Sequence, residues 1–251
     1  MIELSLIGIG TGNPDHLTRQ AARAMNEADL ILLPRKGSYK SDLLDLRKSI
    51  CDAVLTGQTR MAEFDLPTRD SGGDYVDAVN AWHDAIADAW MHQMAVHLPH
   101  GGKLALLVWG DPSLYDSTLR IAERLRLGGL EIAVRVVPGI TSIQALTAAH
   151  GIPLNGLARP VTITTGRLLR AHGWPEGAET LVVMLDQGCA FEALADRDIH
   201  IWWGAYLGMA NEALISGPLS EAGPMIAEAK PRLRQQNGWI MDVYLMRRQT
   251  A

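Results

Sequence analysis

The sequence predicts an α/β protein of two domains, with a parallel sheet in the first and a mixed sheet in the second. Apolar runs of strand length alternate with helical patterns up to Val137, an order typical of βαβ units and a parallel sheet. Beyond Pro138-Gly139, strand-like runs follow one another with fewer helical patterns between them. The 251 residues are enough for two modest domains. We therefore expect an N-terminal α/β domain at 1–140 and a C-terminal mixed-sheet α/β domain at 141–251.

The individual elements follow from periodicity and capping residues. The first strand, Ile2–Ile7, is nearly all apolar, which favours a central place in a parallel sheet. Thr18 is positioned to cap a helix through Ala21 and Met25, and the second strand is Leu30–Leu33. The later N-terminal elements are predicted as a helix begun by Ser41, strand Met61–Phe64, an amphipathic helix over about 72–98, strand Leu104–Trp109, a helix from Asp116 or Ser117 to Gly128-Gly129, and strand Glu131–Val137. The C-terminal strands are predicted as Val161–Thr165, Thr180–Leu185, Ile199–Tyr206, Ala213–Ser216 and Trp239–Met246.

Composition and charge argue against several classes of protein. A formal net charge of −5 lacks the basic excess of a general nucleic-acid binder. No apolar run is long enough to span a membrane and no signal peptide is visible, so we expect a cytoplasmic protein with no membrane partner. Cys51 and Cys189 fit no metal or redox spacing and are expected to be reduced thiols.

Four histidines lie on or just after the long predicted helix. They are His83, His92, His97 and His100. None of the others stands four residues from His83, and no carboxylate cluster accompanies them. We therefore expect solvated or capping side chains and no metal site.

Three strand-to-helix turns carry the candidate site. They are Gly8-Ile-Gly-Thr-Gly-Asn-Pro-Asp15, Gly110-Asp111-Pro112 and Val137-Pro-Gly-Ile-Thr-Ser142. Ligands of open α/β sheets bind where the parallel strands end, so we expect these turns to share one crevice. Pro112 disfavours a helical conformation at Asp111, which places Asp111 on an extended strand end. The alternative is that Asp111 only forms a turn.

The glycines of the first turn invite comparison with a dinucleotide-binding site. That fingerprint, G-x-G-x-x-G, needs the third glycine one residue later and an acidic residue at the end of the second strand. Here Pro34-Arg35-Lys36 follows the second strand. A nicotinamide-dependent oxidoreductase is therefore not expected. We interpret Gly8, Gly10 and Gly12 as positions of close backbone approach or tight turning.

Taken together, the three turns resemble the motifs of the tetrapyrrole methylase family, the S-adenosylmethionine-dependent methyltransferases of the corrin and sirohaem pathways. The family loop G-x-G-x-G-D-P-x-x-L-T corresponds to Gly8–Thr18, G-D-P-x-x-Y/F to Gly110–Tyr115, and V-P-G-x-[ST]-S to Val137–Ser142. The chain departs from the family at three positions, where Pro, Asp and a small residue are usual: Thr11, Asn13 and Trp109.

The resemblance implies a two-domain fold with the active site in the cleft between the domains, where S-adenosyl-L-methionine lies folded. Carried over by position, the cofactor-binding residues are Trp109, Gly110, Asp111, Leu114, Tyr115, Thr141, Ser142, Met184, Leu185, Leu207 and Gly238. A carboxylate at Asp111 is suited to an ammonium or a ribose hydroxyl. Thr141 and Ser142 open a helix whose first N–H groups face the cleft, N-capping alone being the alternative.

Within the family, four segments are most similar to the enzyme that methylates C1 of precorrin-5 and removes the extruded acetyl group as acetate. These segments are Phe64–Asp70, Trp82–Ala87, Pro160–Arg167 and Tyr206–Glu212. Deacetylation needs a general base for water and donors for the developing oxyanion. The candidate bases are Asp15, His16, Tyr115 and His150, and the sequence does not choose among them.

The implied tetrapyrrole substrate carries many carboxylates, so positive charge should be concentrated around the site. The basic residues near predicted loops or strand ends are Arg19, Arg35, Lys36, Arg60, Arg69, Arg167 and Arg170. The resemblance also implies a homodimer. Two alternatives stay open: another corrin or sirohaem methyltransferase or diphthine synthase, and a non-catalytic S-adenosylmethionine-binding sensor. The long helix over about 72–98 argues against another methyltransferase. The intact turns Gly110-Asp111-Pro112 and Val137–Ser142 argue against a sensor.

Overall fold

The computed structural model of the chain describes residues 1–35, 41–70, 72, 74–194 and 198–249. Its internal contacts divide the chain into two compact units, Met1–Thr141 and Ser142–Ala251. The predicted fold class is confirmed, because each unit combines a five-stranded sheet with helices. Within the described ranges no helix is long and apolar enough to cross a membrane.

The sheet of the first unit is entirely parallel, with strand order β3-β2-β4-β1-β5. Its strands are β1 (Ile2–Gly8), β2 (Leu30–Arg35), β3 (Arg60–Asp65), β4 (Gly102–Val108) and β5 (Ile132–Val137). β1 and β4 lie inside the sheet, and their side chains Leu4, Leu6 and Leu104 are fully buried. This agrees with the near-continuous apolar sequence of a strand that is covered on both faces. Because β4, β1 and β5 are neighbours, the turns that follow them meet at one edge.

The structure describes four helices in the first unit: α1 (Arg19–Glu27), α2 (Ser41–Val54), α3 (Tyr75–His97) and α4 (Thr118–Leu127). At the start of α1, α3 and α4 a side chain accepts a backbone N–H. As predicted, the Thr18 hydroxyl caps α1 by accepting the N–H of Ala21 at 3.0 Å. Asp116 accepts the N–H of Thr118 at 2.7 Å. The long helix starts at Tyr75 rather than 72, because the Asp74 carboxylate caps its first N–H groups.

The prediction of solvated or capping histidines is wrong for His83. Its side chain is only 3% exposed, and neither ring nitrogen has a hydrogen-bond partner among the described residues. The helical period explains this position, since His83 stands three residues before Ile86 and seven before Trp90, on the buried face of α3. Burial, with smaller contributions from nearby arginines, lowers the pKa of His83, so the ring is neutral at pH 7.

The sheet of the second unit is mixed, as predicted, with strand order β6-β7-β10-β8-β9. Its strands are β6 (Val161–Thr165), β7 (Thr180–Met184), β8 (Ile199–Ala205), β9 (Ala213–Pro218) and β10 (Asp242–Arg248). β6 and β7 are parallel, and the other three pairs are antiparallel. The last strand starts at Asp242 rather than Trp239, because a helix ends at Asn237 and Gly238 takes a left-handed conformation with φ 70°.

The described part of the second unit contains three α-helices: α5 (Ser142–His150), α6 (Gly166–His172) and α7 (Leu219–Asn237). The sequence pattern does not predict α7, because Pro224 and Pro231 lie inside it and proline removes helical hydrogen bonds. The helix forms because Leu219, Ala222 and Ile226 recur at helical spacing and are buried against the sheet.

Candidate functional site

The structure brings the three predicted turns of the first unit together at the carboxyl edge of the parallel sheet. The N–H of Gly110 donates to the carbonyl of Gly10 at 2.7 Å, and the N–H of Gly10 donates to the carbonyl of Gly110 at 3.4 Å. A Cβ at Gly8 would lie 2.6 Å from both Gly110 O and Gly139 N. Glycine is therefore required where the three backbones touch, as predicted for Gly8.

Asp111 links the second and third turns. One carboxylate oxygen accepts the N–H and the hydroxyl of Ser113, at 2.8 and 2.6 Å, and the other accepts the N–H of Gly139 at 2.9 Å. Burial acts to raise the pKa of Asp111, but the bonds from Ser113 and Gly139 outweigh it and hold the pKa below its usual value. Asp111 is thus an ionised turn former, and its Oδ2 atom, which accepts one hydrogen bond, keeps a second lone pair for a ligand.

The residues around Asp111 include a buried donor without a partner and a strained tyrosine. The indole Nε1 of Trp109 is buried and has no hydrogen-bond partner among the described residues. Leu114 closes the turn through an N–H bond to Asp111 O at 3.2 Å. Tyr115 has φ 49°, a left-handed conformation that costs a non-glycine residue about 1–2 kcal/mol. Burial raises the pKa of its phenol, so the hydroxyl stays protonated at neutral pH.

The first turn places two of the four candidate bases in different environments. Asp15 is exposed and belongs to the short 3-10 turn Pro14–His16. His16 is half-buried, and its Nδ1 lies 2.9 Å from the hydroxyl of the buried Thr11. Its Cβ packs over Gly10, so close that a Cβ at Gly10 would lie 2.8 Å away. The Nε2 atom of His16 has no hydrogen-bond partner in the described part of the chain.

Helix α5 carries two more of the predicted residues, Ser142 at its start and His150 at its end. The helix begins at Ser142, as predicted, and Thr141 packs on Gly110, where a Cβ would lie 3.6 Å from the Thr141 Cα. At the other end, His150 Nε2 lies 3.0 Å from the carbonyl oxygen of Trp203 in β8. A carbonyl only accepts, so His150 donates through Nε2, which anchors α5 to the second sheet.

In the second unit, the turn after β7 exposes an apolar side chain on a strained backbone. Leu185 follows the half-buried Met184, has φ 53°, and is 63% exposed. A leucine in the left-handed region persists only where its surroundings fix it, and such residues concentrate at functional sites.

Leu207 and Gly238, the other two residues of the second unit predicted to bind the cofactor, differ in the groups that a ligand could contact. Leu207 is 4% exposed and packs against Gly204, so its backbone rather than its side chain is available. Gly238 terminates α7 with a positive φ that few other residues adopt readily.

A buried polar network fixes the turn that carries Leu185. The carboxylate of Asp186, 4% exposed, accepts hydrogen bonds from Arg170 at 2.7 Å, Tyr244 at 2.9 Å and the N–H of Ala190 at 2.7 Å. Burial acts to raise the pKa of Asp186, but these bonds prevail and its pKa is lowered. Asp186 therefore remains ionised inside the unit.

Lys230 of α7 completes this network. Its ammonium pairs with Asp242 at 2.8 Å and donates to the carbonyls of Asp186 and Gly188. Asp242 also accepts the indole N–H of Trp203 at 2.9 Å. None of these residues belongs to a motif that the sequence predicts to be functional. The available signal is that Asp186 directly follows one apolar run and Asp242 lies within another, since a buried carboxylate requires a partner.

The basic residues proposed for the substrate differ in their partners and exposure. Arg35 pairs with Asp65 and Glu63, and Arg170 pairs with Asp186. Arg60 begins β3 and bonds the carbonyl of His97, at the edge of the sheet opposite the three turns. Arg19, Arg69 and Arg167 are exposed, and Lys36 lies outside the described residues. Among the residues that the structure describes, no group of three His, Cys, Asp or Glu could hold a metal ion.

Comparisons with known proteins point to one family. Residues 3–223 match the family model of the Tetrapyrrole (Corrin/Porphyrin) Methylases. A "Precorrin-6A synthase [deacetylating]" from Sinorhizobium sp. is 45% identical over 251 residues, covering 99% of this chain and 96% of the relative. The crystal structure of a cobalamin synthesis related protein, CobF, from Corynebacterium diphtheriae is 40% identical, covers 100% of both chains and superposes with a TM-score of 0.85. A uroporphyrin-III C-methyl transferase from Thermus thermophilus, solved with S-adenosylhomocysteine, shares the fold at 19% identity and a TM-score of 0.61, covering 97% of this chain and 96% of that one.

Proposed function

Because the chain belongs to the tetrapyrrole (corrin/porphyrin) methylase family, we propose that it is a methyltransferase of cobalamin biosynthesis that forms precorrin-6A. It uses S-adenosyl-L-methionine to methylate C1 of precorrin-5 and releases the extruded acetyl group as acetate. The observation that carries this proposal is the 45% identity to a deacetylating precorrin-6A synthase over 99% of this chain.

The described residues suit a ligand that combines an amino acid, a ribose and an adenine. The buried Trp109 Nε1 is a donor without a partner, and the exposed Leu185 is an apolar surface of the kind that covers a base. Thr141 and Ser142 add hydroxyl and N–H groups at the start of α5. When bound, the cofactor supplies an electrophilic methyl group. The other proposed contacts are Gly110, Asp111, Leu114, Tyr115, Met184, the backbone of Leu207, and Gly238.

Methyl transfer and deacetylation make different demands on the chain. For methyl transfer the protein mainly positions the reacting groups. In deacetylation, water attacks the acetyl carbonyl carbon, the bond from that carbon to the ring breaks, and its electron pair passes to the macrocycle. We assign the proton transfer from water to His16 Nε2, because Thr11 orients the ring and leaves that atom without a partner. The protonated hydroxyl of Tyr115 is the donor for the oxyanion.

The alternatives are less well supported. A methylase of another step is disfavoured because similarity to the Sinorhizobium relative extends over both units. A binding-only sensor would not need an oriented His16 beside the turns.

The proposal is tested by incubating the protein with precorrin-5 and S-adenosyl-L-methionine carrying a trideuterated methyl group. We expect a product that carries the labelled methyl group and lacks the acetyl group, with no reaction on uroporphyrinogen III. Methylation of uroporphyrinogen III, or cofactor binding without turnover of precorrin-5, would replace the proposal by one of the two alternatives.

Asp111→Ala is expected to weaken binding of S-adenosyl-L-homocysteine by about 1–3 kcal/mol, the usual loss when a charged hydrogen-bond partner is removed. The variant releases Gly139 N–H and Ser113, so the second and third turns lose their link. Titration calorimetry on the folded variant measures the change. Asp84→Ala, at an exposed carboxylate on α3, is the control. An unchanged dissociation constant in Asp111→Ala would leave Asp111 with a role in the turn alone.

We propose a homodimer, as the family resemblance implies. Multi-angle light scattering at micromolar concentration is expected to give twice the 27.4 kDa mass of one chain. A single species with the mass of one chain would contradict it.

A further inference from the structure

Arg47, in α2, lies beside the turn after β4 and forms no ion pair with any residue that the structure describes. Its guanidinium lies 4.8 Å from the centroid of the Trp109 ring. Its bonds to the carbonyls of Leu107 and Leu43 are both long, at 3.4 Å. Among the residues that the structure describes, no carboxylate lies within 4.0 Å of it. A guanidinium has five N–H donors, so most of the capacity of Arg47 is unused.

Several other arginines of the first unit are paired. Arg35 binds Asp65, Arg124 binds Asp84, and Arg126 binds Glu123. Arg47 is partly buried, and burial lowers its pKa to about 10 against a smaller opposing effect of the more distant Asp116 carboxylate, which still leaves Arg47 protonated at pH 7. Burying part of a charge costs free energy unless the charge is paired. Arg47 is therefore suited to bind an anion.

We propose that Arg47, stacked on Trp109, binds a carboxylate side arm of the tetrapyrrole substrate. The guanidinium fork matches a carboxylate in two parallel hydrogen bonds. The Trp109 ring supplies the flat surface that orients the fork. The bond of Arg47 to Leu107 O places it at the carboxyl end of β4, next to Gly110 and Asp111. The inference rests on the proposed function.

A carboxylate also occurs on the amino-acid part of S-adenosyl-L-methionine. The substrate is favoured because it carries several carboxylates, and a chain of net charge −5 must supply positive charge locally to hold them. The two sources are separable, since S-adenosyl-L-homocysteine binding reports the cofactor and the KM for precorrin-5 reports the substrate.

The test compares Arg47→Met, which keeps the apolar stem, with Arg47→Lys, which keeps the charge, and with Arg126→Met as an exposed arginine control. Arg47→Met is expected to raise the KM for precorrin-5 by about 10- to 100-fold, the loss of a charged hydrogen-bonded pair, with kcat and S-adenosyl-L-homocysteine affinity retained. Arg47→Lys is expected to lie between Arg47→Met and the unaltered chain. The KM of the unaltered chain should rise more steeply with salt than that of Arg47→Met, which a structural role would not produce.

An unchanged KM for precorrin-5 in Arg47→Met would overturn the inference. If the affinity for S-adenosyl-L-homocysteine also falls at that unchanged KM, Arg47 binds the cofactor instead. A fall in kcat and thermal stability alone, in both Arg47 variants, would make Arg47 a packing residue and would also overturn it. If the unaltered chain does not turn over precorrin-5, the proposed function itself fails, and that outcome is distinct from the others.

Discussion

Replacing His16 with alanine is expected to slow acetate release from precorrin-5 by about 10²- to 10⁴-fold, the usual contribution of a general base. Binding of S-adenosyl-L-homocysteine is expected to stay unchanged. The reason lies in the geometry of the first turn. When Nδ1–H donates to the Thr11 hydroxyl, the lone pair of Nε2 is free to take a proton from water. Acetate and S-adenosyl-L-homocysteine are measured separately, because only acetate release requires the base directly.

Two further variants separate proton transfer from a loss of structure. Thr11→Val keeps the shape of the Thr11 side chain but removes the hydroxyl that orients His16. It should slow acetate release less than His16→Ala and alter its pH profile. His92→Ala removes an exposed histidine of α3 and should change neither product.

Acetate release at the normal rate in His16→Ala would return the role to the other three candidates. Asp15 is exposed, Tyr115 is protonated at neutral pH, and His150 already donates to Trp203 O. If Asp15→Asn, Tyr115→Phe and His150→Ala also release acetate normally, the base lies elsewhere in the chain or on the substrate's own carboxylates.

Lys230→Met is expected to lower the free energy of unfolding by about 3–5 kcal/mol, the cost of leaving a buried charge without its partner. The variant leaves Asp242 unpaired and removes the donor from the carbonyls of Asp186 and Gly188. Because these carbonyls belong to the turn that follows Leu185, the affinity for S-adenosyl-L-homocysteine should fall as well. Urea unfolding and calorimetry measure the two effects.

The matched control for Lys230 is Lys48→Met, which breaks the partly exposed pair with Glu63. A pair of this kind contributes about 0–1 kcal/mol, so its loss should be small. The double variant Lys230→Met with Asp242→Asn should be less destabilised than the sum of the two single variants, because the second change removes the unpaired charge. A loss no larger than that of Lys48→Met would contradict the assigned role of the network.

The strands and turns could be predicted from the sequence because their signals are local. Apolar runs that end at glycine and proline mark β1, β4 and β5, and the helical period marks α3. The contact of Gly8 with Gly110 and Gly139 also follows, once these strands are neighbours in a parallel sheet.

The rest could not be predicted because it depends on tertiary contacts. The two prolines inside α7 argue against a helix in the sequence, and the helix is stabilised by its buried face. From the sequence, Lys230 is expected to be an exposed charge, whereas in the structure it is buried and paired with Asp242. The sequence does not distinguish Arg47 from other helical arginines. The structure shows that its guanidinium lies over the Trp109 ring and that no carboxylate of the described residues lies within 4.0 Å of it.

The measurement that tests the proposed reaction most directly is the ratio of acetate to S-adenosyl-L-homocysteine formed from precorrin-5 in water enriched in oxygen-18. Hydrolysis of the acetyl group and transfer of one methyl group predict equal amounts of the two products, with one oxygen-18 atom in each acetate. S-adenosyl-L-homocysteine formed without acetate, or acetate that contains no solvent oxygen, would contradict the account.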